Sequence, residues 1–193
     1  MKKIISLFAR NYDTDHRVRD EIVSGAEWVA YGAGIATRKM DGMCCLLRDG
    51  RLYKRHEVKP GKTPPAGFEV ADADPITGKQ VGWLLVGDGP EDQYFRKALA
   101  TAGRVPCDGT YELLGPKVQG NPERYDEYTL VRHGQHALDN VPRDFAGLTT
   151  FFSAGAGRAI EGIVWHHPDG RMVKIKAKDF GVRRSTPDAE AAA

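Results

Sequence analysis

Ile35-Ala36-Thr37-Arg38-Lys39-Met40-Asp41-Gly42 runs directly into Met43-Cys44-Cys45-Leu46-Leu47-Arg48-Asp49-Gly50-Arg51-Leu52-Tyr53-Lys54-Arg55-His56-Glu57, and this stretch carries most of the fold argument. Residues 35–39 read as a strand that ends at the Asp41-Gly42 turn. Residues 43–47 and 52–57 are strand-like runs on either side of Asp49-Gly50. Asp and Gly both tolerate positive φ, which a tight antiparallel hairpin needs at its two turn positions.

The same pattern recurs downstream. Residues 109–114 read as a strand, and residues 160–166 and 171–176 as a second hairpin around Pro168-Asp169-Gly170. Residues 91–101 start acidic and bring Tyr94, Phe95, Ala98 and Leu99 to helical spacing, which predicts a helix. Asp144 is placed to cap another helix running through 148–152. Four of the eleven prolines fall in 59–75, which predicts a loop. Short strands, few helices and no strand–helix alternation predict an α+β fold built on antiparallel β-sheets. One domain over 1–184 is expected, with a polar, alanine-rich tail over 185–193 that frays.

Composition narrows the function. With 41% hydrophobic and 28% charged residues the chain can bury a core, and a net charge of +2 excludes a polycation. A nucleic-acid partner must then be held by a local basic patch. Cys44, Cys45 and Cys107 have no C-x-x-C spacing and read as reduced thiols of a cytoplasmic protein, with no zinc site. The apolar run after Met1-Lys2-Lys3 stops at Ala9-Arg10, too short for a signal peptide or a membrane span.

Four blocks carry chemistry when taken in order: Lys39-Met40-Asp41-Gly42, Tyr111-Glu112-Leu113-Leu114-Gly115, Glu161-Gly162-Ile163-Val164-Trp165 and Lys174-Ile175-Lys176. A nucleophilic lysine must lose a proton whose ordinary pKa is about 10.4, and burial or nearby positive charge helps it do so. Lys174 and Lys176, at i and i+2, share one strand face, where they can supply that charge and neutralise a phosphate. Glu161, read as lying on a strand face with Ile163, can hold a divalent metal against phosphate oxygens. Glu112 can accept a ribose hydroxyl. Each position taken singly also suits an ordinary surface or strand edge, and Trp165 suits a core. His166-His167 points to opposite faces and makes no metal pair. Gly32-Ala33-Gly34 and Gly155-Ala156-Gly157 complete neither a dinucleotide fingerprint nor a P-loop.

In this order the blocks resemble motifs I, III, IV and V of the covalent nucleotidyltransferases: ATP-dependent DNA and RNA ligases and mRNA-capping enzymes. Ala36-Thr37-Arg38-Lys39-Met40-Asp41-Gly42-Met43-Cys44-Cys45 and Tyr53-Lys54-Arg55-His56-Glu57-Val58-Lys59-Pro60-Gly61 are similar to the vertebrate-type 5′-to-3′ RNA ligases. Asp74-Pro75-Ile76-Thr77-Gly78 and Gly120-Asn121-Pro122 add to the likeness, which covers residues 28–180.

The resemblance implies an ATP-grasp-like nucleotidyltransferase domain without an OB domain, since only a short tail follows Lys176. It implies ATP as cofactor, with AMP carried covalently on Lys39, and magnesium or manganese held by Glu161. It implies that Lys174 and Lys176 act on the phosphate, and that Thr37 and Arg38 meet adenine beside Asp41 and Gly42. Arg55 and Glu112 would grip the ribose side. Phe151, Phe152 and Trp165 are the aromatic candidates for adenine. The substrate implied is RNA with 5′-phosphate and 3′-hydroxyl ends, gripped by Arg55, Lys54 and Lys59, with no membrane and no obligatory protein partner. The alternatives are a DNA ligase, a GTP-dependent capping enzyme, or a nucleotide- or RNA-binding domain without catalysis.

Overall fold

In the computed structural model, which describes residues 2–103 and 106–185, the chain divides into two compact units. One is Met1–Lys3 with Asp41–His133, the other Ile4–Met40 with Gly134–Ala193. The tail from residue 186 lies outside the described residues. In chain order the elements are β1 (Ile5–Ser6), β2 (Phe8–Arg10), β3 (Val18–Ile22), α1 (Glu27–Ala30), β4 (Ile35–Lys39), β5 (Met43–Arg48), β6 (Arg51–Val58), β7 (Glu69–Ala73), β8 (Gln80–Leu85), α2 (Gln93–Thr101), β9 (Gly109–Leu114), β10 (Thr129–Arg132), α3 (Phe145–Ser153), α4 (Gly155–Arg158), β11 (Gly162–His166) and β12 (Met172–Lys176). The fold is α+β, with mostly antiparallel sheets. Among the described residues no helix is long and apolar enough to cross a membrane.

The unit containing Asp41–His133 is a six-stranded antiparallel sheet in the order β10-β9-β5-β6-β8-β7. Its Asp49-Gly50 turn has φ of 52° and 69°, and Arg48 pairs with Arg51 across it, as the hairpin reading requires. Cys45, Leu47, Tyr111 and Leu113 alternate onto one face and pack with Phe95 and Ala98 of α2. A 3-10 turn over Pro90–Asp92, with proline at its start, precedes α2, so the first two residues of the predicted helix belong to the turn and the α-helix begins at Gln93. The predicted loop 59–75 contains β7, an edge strand with a bulge between Val70 and Asp72. Its residues are exposed or half-buried, so hydrophobic alternation never marked it.

The second unit holds a four-stranded sheet in the order β1-β12-β11-β4. β1 joins β12 in parallel, a pairing that its two-residue length hid. Ala36, Ile163, Trp165, Val173 and Ile175 fill one face and pack on Leu148 and Phe152 of α3. Asp144 caps α3 through a 2.8 Å hydrogen bond from the Gly147 N–H to its carboxylate. Residues 136–138 cover the free edge of β4: the Arg38 N–H donates to the His136 carbonyl and the Leu138 N–H to that of Ala36.

Candidate active site

Alternation on the four-stranded sheet turns the face opposite the core into a row of lysines. Gly162 of β11 pairs with Lys39 on one side and Lys176 on the other, and Val164 pairs with Thr37 and Lys174. Lys39 and Lys176 therefore flank a residue with no side chain. A Cβ on Gly162 would come 2.2 Å from the Ile175 carbonyl oxygen, so glycine is required there by the packing.

Glu161 precedes β11 rather than lying on it. Ile163 goes into the core, while the Glu161 carboxylate reaches the lysines. This corrects the shared face read for the two residues: the regular pleat begins at Gly162. The Lys39 ammonium donates to Glu161 Oε2 at 2.6 Å and that of Lys176 to Oε1 at 2.5 Å. Burial alone would raise the Glu161 carboxyl, but the Lys39 and Lys176 charges outweigh it and hold the group below the usual carboxylate range.

Lys174 sits beside this cluster. Burial, then the charges of Lys176 and Lys39, lower its pKa to about 8. Asp179 is buried; it accepts the Lys176 backbone N–H at 3.0 Å and pairs with Arg10, anchoring the end of β12.

Thr37 is buried, its hydroxyl donating to the Val164 carbonyl at 3.0 Å with His166 Nε2 at 3.1 Å. Among the aromatic residues considered for adenine, Trp165 and Phe152 are wholly buried in the core and Phe151 packs against it.

In the other unit Glu112 is a second organised carboxylate. Its Oε1 accepts the Gly42 N–H at 3.0 Å, and its Oε2 lies 2.9 Å from His133 Nε2. A Cβ on Gly42 would come 2.2 Å from the Leu113 carbonyl oxygen, so the glycine lets the chain pass close to β9. The Asp41 N–H donates to Glu123 at 3.1 Å. Gly42, Cys44, Arg55 and Glu112 line a cavity of about 390 Å3. Lys54 is tied to the buried Asp92 at 2.5 Å, with its side chain 18% exposed. It holds the fold and is not one of the exposed cations expected to grip nucleic acid, whereas Lys59 is exposed. The sequence reading missed His133, Asp179 and Asp92. Each is a polar residue with a side-chain partner on a distant strand, Glu112, Arg10 and Lys54 respectively, a pairing that no local pattern marks.

The model of the RNA ligase 1 family matches residues 104–192. Curated relatives named RNA ligase 1 include that of Mus musculus, 32% identical over 225 residues, covering 80% of this chain and 69% of the relative. That of Danio rerio is 33% identical over 85 residues, covering 41% of this chain and 26% of the relative. That of Pongo abelii is 32% identical over 111 residues, covering 54% and 34%. Against the last two the matched region thus spans about a quarter to a third of the relative's length. The chain belongs to the RNA ligase 1 family.

Proposed function

We propose that the chain is an ATP-dependent RNA ligase that works through a lysyl-AMP intermediate. The observation that supports it is the gathering of Lys39, Lys174 and Lys176 around Glu161 on one face of one sheet. The Lys39 amine, having lost a proton, attacks the α-phosphorus of ATP. An N–P bond forms and the P–O bond to pyrophosphate breaks. An RNA 5′-phosphate oxygen then displaces Lys39, and the amine recovers a proton. Finally the 3′-hydroxyl of a second RNA end attacks that 5′-phosphate and expels AMP.

Lys174 and Lys176 neutralise charge that builds on the phosphate during transfer. Glu161 suits magnesium in its donor chemistry, because such ions are held by one or two carboxylates plus substrate phosphates. The metal, when bound, would supply charge neutralisation at the phosphate oxygens. Glu161 would hold the ion through carboxylate oxygens that also accept from Lys39 and Lys176. The ribose-side roles of Glu112 and Arg55, and the adenine-side roles of Thr37 and Arg38, are part of the same reading.

The test is intact-mass measurement after incubation with ATP and magnesium, followed by matched RNA and DNA ends. The expected result is one added AMP, faster with ATP than GTP, and sealing of 5′-phosphorylated RNA to an RNA 3′-hydroxyl. A protein without the adduct is a binder. An adduct with faster sealing of DNA makes it a DNA ligase.

A further inference from the structure

We propose that Cys44, Glu112 and His133 form a binding site for a thiophilic divalent cation of the zinc class. Strand register assembles it. Cys44 of β5 lies directly opposite Glu112 of β9, and Thr110, two residues earlier on β9, shares the Glu112 face. His133 follows β10 and donates its backbone N–H to the Thr110 carbonyl, which sets its ring beside the same face. One Cys sulfur, one carboxylate oxygen and one imidazole nitrogen thus lie within 4.8 Å of one another. Bonds of about 2.0–2.3 Å from a central ion reach all three donors after small side-chain movement.

The outer contacts are those of a metal site. His133 would bind through Nε2, while its Nδ1 lies 3.0 Å from the Thr110 hydroxyl, a partner that holds the ring's orientation. Glu112 is buried, and the Gly42 N–H holds Oε1, which leaves Oε2 turned toward His133. Sulfur and imidazole select a softer ion than magnesium, so this site and the all-oxygen chemistry of ATP do not compete for the same metal. Three protein ligands leave a fourth position open. The spacing of the cysteines pointed away from zinc because it considers thiols alone, whereas the register adds a His and a Glu from two other segments.

Cation binding stands apart from the ligase reading. Its consequence rests on that reading: Glu112 ligating a soft cation has no Oε2 left for a ribose hydroxyl, so the ion inhibits nucleotidyl transfer.

The test is titration of the reduced full chain with Co2+ in excess magnesium, followed by the near-ultraviolet thiolate-to-cobalt charge-transfer band. One equivalent should develop the band, and Zn2+ should bleach it. Cys44→Ser should abolish it, Cys107→Ser should leave it intact, and Thr110→Val should weaken binding by about 10- to 100-fold. On the unsubstituted protein, Zn2+ should protect Cys44 from alkylation while the exposed Cys107 stays reactive, which is read by peptide mass and needs no variant. Absence of the band in wild type, its survival in a folded Cys44→Ser protein, or unprotected Cys44 each overturns the site and leaves a hydrogen-bond network that only positions Glu112. Absence of the AMP adduct in cobalt- and zinc-free protein given ATP and magnesium, in a preparation that still develops the cobalt band on titration, overturns the ligase reading alone.

Discussion

Two carboxylates, the half-buried Glu161 and the buried Glu112, organise this molecule, one in each unit, and they are held by different forces. Glu161 has an ammonium group on each oxygen, at 2.6 and 2.5 Å. Glu112 has a backbone N–H at 3.0 Å and an imidazole nitrogen at 2.9 Å. The first is positioned by charge, in short ion-assisted bonds, and the second by strand register. Charge can be withdrawn by chemistry, because AMP transfer to Lys39 would convert its ammonium into an uncharged phosphoramidate N–H beside an anionic phosphoryl oxygen and leave Glu161 with one cationic partner. Register cannot be withdrawn without unfolding the strand. In the proposed reaction the Glu161 cluster would therefore change during the cycle, while the contacts set by register at Glu112 would stay in place.

The sharpest way to break this comparison is Lys39→Ala, which should abolish AMP transfer to the protein. Lys39→Arg should do the same, since a guanidinium stays protonated and is a poor nucleophile. An intact mass still raised by one AMP would remove Lys39 from its role. Glu161→Gln comes next. Transfer should fall on the order of 10²-fold, a barrier increase of about 2.7 kcal/mol. The same variant tests the charge argument through pH. Because the folded carboxyl titrates below its unfolded value, its stabilisation is present above the unfolded pKa and is lost as pH falls through the folded one. Acid melts should show a shallower loss in Glu161→Gln than in wild type.

Lys174→Ala should have a smaller effect, slowing transfer about tenfold, or about 1.4 kcal/mol. Its signature is on the alkaline side. Lys174 loses its charge as pH rises through about 8, so wild-type transfer should lose that contribution there and the variant should not show the step. Stability runs the other way. The depressed lysine costs the fold most below about 8 and relaxes as pH rises towards the unfolded value, so wild-type stability gains over that window and the variant's does not. Lys54→Ala should affect rate least, within about threefold, yet cost about 2–3 kcal/mol in denaturant melts by leaving Asp92 buried without its cation. A Lys54→Ala protein of normal stability that fails to bind RNA would return Lys54 to the nucleic-acid surface.

What the sequence made legible follows the same division. Lys174 and Lys176 share a face because strand alternation is local, and both hairpins are found where Asp-Gly and Pro-Asp-Gly stand. Asp144 and the apolar spacing of 91–101 marked two helices for equally local reasons. Glu161 was read as lying on the strand and is out by one position in the pleat, because a strand's first residue is set by the partner strands. His133 was invisible for the reason that Glu112 is well placed: the two are 21 residues apart, and β10, the strand that ends beside His133, was not legible as a strand at all.

The unit that holds the lysines is made of two stretches of chain with residues 41–133 between them. Lys39 and Glu161 are 122 positions apart, so synthesis completes β4 and then must wait for β11 and β12. Residues 41–133 can fold in that interval, since their sheet takes no strand from the later segment. Once folded they shorten the effective tether between β4 and β11, and each halving of a flexible loop lowers its closure cost by about 0.6 kcal/mol. On the proposed reading the order of assembly would work as a safeguard. A truncated product or a stalled nascent chain that lacks β12 would have Lys39 but neither Lys174 nor Lys176, so it would be slow to trap nucleotide or to adenylylate RNA that it is unable to seal.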